Sequence, residues 1–167
     1  MMLMRRIVLG AAAGYGANRV MHIATSWYYE RQSAESKARE QMVFPGGAIV
    51  AAGRDVAGLL KKDDADDAEI ERLGLIAHRG VAMAYGALAA LLVGVGIRPF
   101  RVGVLTGAAA FVVVDEGLNA VQLEPSPFDF PVEAHIRGVI GHATFGAVLG
   151  ACLTVLRPLL RRRPRSA

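Results

Sequence analysis

The sequence predicts an all-α fold, a four-transmembrane-helix bundle with a short amphipathic helix between the first and second spans. Three observations carry this expectation. Hydrophobic residues make up 53% of the 167 residues and mean hydropathy is +0.35, more apolar than the core of a water-soluble domain of this size requires. The apolar residues gather into four runs, each close to the roughly 20 residues that cross a hydrocarbon layer. Nineteen glycines and only 7% aromatics suit closely packed membrane helices better than a sandwich or barrel core. The chain is long enough for one integral membrane domain, 1–167.

The first run, Ile7 to Trp27, is interrupted by Arg19 and His22. Arg5 and Arg6 before it and the small residues Ala11 to Ala13 resemble a signal peptide. Apolar character resumes at Val20, however, and the run closes on Trp27, Tyr28 and Tyr29, an interfacial aromatic belt, so a retained span is expected. A polar segment, 30–72, follows, with Arg31, Lys37, Arg39, Arg54, Lys61, Lys62 and Arg72 set against ten acids. Within it Pro45 to Leu60 reads as a surface-lying amphipathic helix, too short to cross. The acids after Lys62 suit the first turn of the next helix, where the helix dipole favours carboxylates.

The second run, Leu73 to Ile97, holds an uncharged stretch from Gly80 to Ile97, and the fourth, Ile136 to Leu156, holds one from Gly138. The third, Val102 to Val121, contains Asp115 and Glu116. A basic turn, Arg98 to Arg101, joins the second and third runs. An acidic loop stiffened by Pro125, Pro127 and Pro131 joins the third and fourth. Placing both termini in the cytoplasm of a cell with an inner membrane puts Arg5, Arg6, Arg98, Arg101 and the basic tail 157–167 inside, as the positive-inside bias asks. The same clustering beside apolar runs makes nucleic acid an unneeded partner. The expected partners are the lipid bilayer and a homo-oligomer or larger membrane complex. Gly10/Gly14, Gly103/Gly107 and Gly146/Gly150 offer close-approach faces, to a helix of the same chain or of another.

With this topology, sequence position converts to depth at about 1.5 Å per residue. Arg19, His22, His78, Arg79, Asp115, Glu116, Asn119, Glu133, His135, Arg137 and His142 then share the outer half of the bundle, every histidine of the chain among them. Helical spacing sets Tyr15, Asn18, His22 and Ser26 on one face, pairs His78 with Tyr85 and His135 with His142 seven apart, and puts Asp115 four before Asn119. Glu133 and Arg137 are i, i+4 neighbours, the spacing of a local ion pair.

Three readings of this cluster follow. In the first, Arg19, Arg79 and Arg137 pair with Asp115, Glu116 and Glu133, and the cluster holds together a non-enzymatic structural or accessory component. In the second, coupled histidines and carboxylates handle protons or a small solute from the outer face, as a half-channel or pocket, because the inner half offers no polar path. In the third, His22, His78, His135 and His142 ligate a metal or haem, although no HExxH or Glu-x-x-His pair is present. No cofactor is required by the sequence. Catalytic residues are not indicated either: Cys152, the single cysteine, lies far from the histidines, Ser26 and Ser126 lack a G-x-S-x-G context, and there is no P-loop or dinucleotide fingerprint.

From Leu73 onward the chain carries, in order, His78 and Tyr85, a turn with Pro99, Gly103 and Gly107, the acids Asp115 and Glu116, the stretch Pro125, Pro127, Phe128, Asp129, Phe130 and Pro131, then Glu133, Gly141, His142 and Gly146. This order of features is similar to the YagU-like group of small bacterial inner-membrane proteins. The resemblance covers a little over half the chain. It implies a multi-pass membrane location, transfers no reaction, and singles out His78, Glu133 and His142.

Overall fold

The computed structural model describes residues 1–113 and 125–161. Among them the chain forms six α-helices: α1 (Met2–Arg31), α2 (Ala34–Val43), α3 (Gly47–Leu59), α4 (Asp67–Gly94), α5 (Pro99–Ala110) and α6 (Val132–Leu160). A 3-10 turn, Pro127–Asp129, precedes α6.

Local chemistry explains where these helices start and stop. The Ser33 hydroxyl accepts from the Ser36 amide at 3.1 Å and caps α2, a helix the sequence reading did not separate from the polar segment. Phe44 to Gly46 then break the path, with Gly46 at φ 81° and Gly47 at φ 66°, backbone that a side chain would strain. Asp66 caps α4 by accepting from the Glu69 amide at 2.8 Å, so the acidic run supplies the first turn of the helix, as expected, six residues before the apolar run begins at Leu73. Pro99 opens α5 at a position where its missing N–H costs nothing. Of the expected third run, α5 and a π turn at 111–113 are described, and its end lies outside the described residues.

Helices α1, α4, α5 and α6 alternate in direction. Gly10 of α1 faces Gly86 and Ala90 of α4, and Gly14 faces Ala82, a register in which one number rises as the other falls. Gly103 and Gly107 of α5 meet Gly150 and Gly146 of α6 in the same manner, and Gly141 of α6 meets Met21 and Thr25 of α1. The three GxxxG pairs are therefore used within the chain. A Cβ on Gly103 would fall 2.3 Å from the Gly150 Cα, and one on Gly86 would fall 2.2 Å from the Gly10 carbonyl oxygen, so these backbones touch only because both sides lack a side chain. The polar segment folds onto α4, with Gly53 of α3 against the Ile70 carbonyl and Gly74 of α4 against that of Ile49.

The core sits toward the end where α1 begins and α6 finishes. Ala13, Ala17, Ala89, Ala90, Val93, Leu149, Leu153 and Leu160 are buried there. Arg6 closes it, donating from Nε to the Leu160 carbonyl at 2.8 Å and from Nη2 to that of Gly94 at 3.1 Å. One guanidinium thus serves the otherwise unpaired carbonyls that end two helices. Large apolar side chains face outward along the bundle, Ile23 at 69% exposure and Val155 at 79% among them. In water such faces would be an aggregation surface; in hydrocarbon they are the ordinary solvent contact.

Among the described residues three helical stretches are long and apolar enough to cross a membrane: Ala34–Leu59, Asp67–Gly94 and Val132–Leu160. The first is bent between α2 and α3 and is no straight crossing. Helix α1 has the length, at 30 residues, but Asn18, Arg19 and His22 lower its apolarity. Pro99–Val113 is a shorter apolar helix.

Candidate functional site

At the end opposite Arg6 the helices separate around a cavity of about 400 Å³. Helix α1 contributes Asn18, Met21, His22 and Thr25, and α4 contributes His78, Val81, Ala82 and Tyr85. Helix α6 adds His135, Arg137, His142 and Phe145. Phe111 comes from just after α5, Phe130 from before α6, and Phe44 and Gly46 to Ile49 from the α2–α3 bend and the first turn of α3. The spacing is the cause of the convergence: His78 and Tyr85, like His135 and His142, are seven apart, two helical turns on one face.

All four histidines line this space. The His22 and His78 rings meet edge to face with centroids 5.1 Å apart, and His142, 9% exposed, meets Phe111 at 5.8 Å. His135 Nε2 lies 2.9 Å from the Pro127 carbonyl, which accepts its proton and ties the 3-10 turn to α6. Phe130 packs against both Phe44 and His135, extending an aromatic wall. Asn18 is 1% exposed, and its Oδ1 accepts no hydrogen bond from the described residues.

Arg137 corrects an expectation. Its guanidinium binds Glu40 of α2, with Nη1 donating to Glu40 Oε2 at 2.9 Å and to Gln32 Oε1 at 2.8 Å, and it lies 5.1 Å from the Tyr29 ring centroid. Glu133, its expected partner, turns instead to Ser33, accepting from the hydroxyl at 3.0 Å and the amide at 3.5 Å. Helix α2 lies beside the start of α6, so two groups four residues apart on α6 find separate partners on it. Gln32 Nε2 donates to Ser36 Oγ at 3.1 Å, completing a polar seam between the two elements. Gln32, Ser36, Glu40 and Tyr29 were not candidates in the sequence; a Ser33 cap followed by helix formers was the signal that would have placed them.

The other predicted residues fall elsewhere. Arg19 is exposed in a shallow groove with His22, Trp27 and Glu30, and Arg79 is half-buried on α4 outside the cavity lining. Neither pairs with an acid among the described residues. Asp115, Glu116 and Asn119 lie outside the described residues. Cys152 packs against the core at the far end.

No protein-family model matches the chain, and neither characterised proteins nor solved structures give a significant match.

The geometry must therefore carry the chemistry. No group of three or more His, Cys, Asp or Glu side chains among the described residues is placed to hold a metal ion, so the four histidines are grouped around a space and not around a point. Among the described lining residues the carboxylate and the guanidinium, Glu40 and Arg137, neutralise each other. What remains is a mostly apolar, aromatic chamber with a few polar groups, the usual make-up of a small-molecule site.

Proposed function

We propose that the chain is a four-span inner-membrane protein of the YagU-like kind, with both termini cytoplasmic, whose outward end binds a small solute. The observation that carries this reading is the cavity itself. A cluster serving only to hold helices together would be filled and its charges matched in pairs, whereas here all four histidines surround about 400 Å³ of unfilled space. Binding is favoured over conduction, because the opposite half of the bundle is close-packed alanine, valine and leucine, closed by Arg6. The orientation is supported by Arg5, Arg98, Arg101, Arg157 and Arg161, which gather at the Arg6 end.

Two experiments test it. In a Cys152→Ser background, Ala34→Cys should react with an impermeant thiol reagent from outside intact cells and Arg98→Cys only after permeabilisation; the reverse pattern would refute the orientation. Native mass spectrometry of protein released from membranes should show a bound small molecule, and Ala134→Trp, which projects a large ring into the cavity, should remove it while leaving helicity unchanged. A wild-type spectrum with no adduct, matching that of Ala134→Trp, would return the cluster to a structural role.

A further inference from the structure

We infer that the occupant is an uncharged aromatic molecule bearing a hydroxyl, of the phenol or hydroquinone class, donating to Asn18. This deepens the pocket reading above and rests on it.

Charge excludes most alternatives. Arg137 and Glu40 satisfy each other on the cavity wall, so an anion there would meet the carboxylate and a cation the guanidinium, and Arg19 and Arg79, which pair with no acid among the described residues, lie off the lining. Shape and surface favour a ring. The Phe44–Phe130 pair, at 6.1 Å and 88°, forms one aromatic wall, with Phe111 and Phe145 also on the lining. Edge-to-face and offset stacking on such walls reward a flat π system over an alkyl chain. The volume, about 400 Å³, suits a single substituted ring with a short extension.

Asn18 supplies the polar requirement. A buried amide oxygen with no donor among the described residues is costly to leave so, and this one belongs to a side chain on the cavity lining. It calls for a donor, which a quinone carbonyl, an ether or a hydrocarbon does not carry. A phenolic hydroxyl does, and it keeps an acceptor lone pair for an imidazole N–H such as that of His22, one turn along the same helix.

The test is a matched pair of probes, p-cresol and 4-methylanisole, which differ in the methyl group that replaces the hydroxyl proton. Equilibrium dialysis of the purified full-length protein, against micelles without protein, measures binding beyond partition into detergent. The wild type should hold p-cresol about tenfold more tightly, the weight of one neutral hydrogen bond to an otherwise unsatisfied acceptor. Asn18→Leu should lose that preference and bind both probes alike. Equal binding of the two probes to the wild type would overturn the inference while leaving the pocket standing. Binding of neither would overturn it too, and the adduct lost in Ala134→Trp would then judge the pocket separately. Should Asn18→Leu fail to accumulate, the wild-type comparison decides alone.

Discussion

The two ends of the bundle are built from different residues and do opposite things. At the Arg6 end, glycine and alanine let backbones touch, leucine and valine fill what is left, and the half-buried Arg6 guanidinium is spent on helix-terminal carbonyls. At the other end phenylalanine, tyrosine and histidine hold the same helices apart, and a cavity results. The contrast teaches that side-chain size along one helix sets where a bundle is solid and where it is hollow. Helix α6 shows this within itself: Gly146 and Gly150, from the middle of the helix onward, lie against α5, and His135, Arg137 and His142, in its first half, face the chamber.

Breaking the hollow end at its ion pair should have the largest effect. Arg137→Ala leaves Glu40 little exposed and without its cation, and unfolding in mixed detergent micelles should show a loss of about 3 kcal/mol. The paired replacement Arg137→Met with Glu40→Leu should recover most of it, since no charge is then orphaned. A double variant as damaged as the single one would show that the pair does more than neutralise itself.

At the solid end the corresponding break is steric. Gly103→Ala should cost about 2 kcal/mol, because the new methyl meets the Gly150 backbone and α5 must move away from α6. Gly16→Ala, where nothing lies within 4 Å, should be neutral or stabilising by about 0.5 kcal/mol. Equal losses at the two sites would mean that helix propensity, not close approach, explains the glycines. Arg6→Ala, measured in the same way, should cost about 1.5 kcal/mol through two orphaned carbonyls, and Arg6→Lys should recover only part, since lysine lacks the fork that reaches both.

How much of this was legible follows from the range of the interactions. The bundle helices were legible because apolar length and glycine spacing are local patterns, and so was the gathering of the histidines at one end of the bundle, because helical rise turns sequence number into position along the axis. The partners were not. Glu133 and Arg137 have the spacing of an ion pair, yet each is drawn to α2, a helix about one hundred residues away whose docking no local pattern encodes. Asn18 was visible on the His22 face, but that its Oδ1 accepts nothing from the described residues became apparent only in the folded bundle. The cavity was invisible for the same reason: a void is a property of several helices at once.

The smallest effect should be the most local one. Ser33 caps α2 through the Ser36 amide and also donates to Glu133, so Ser33→Ala removes the cap and one of the seams that hold α2 beside α6. The expected loss is about 1 kcal/mol, the usual worth of an N-cap hydroxyl. It should be confined to one end. Hydrogen exchange should speed up in Ala34–Val43 while amides around Leu149 and Leu153, in the close-packed half, keep their protection. Faster exchange in both halves would mean that the hollow end and the solid end open together, and that α2 is part of the cooperative core instead of a separately docked wall of the chamber.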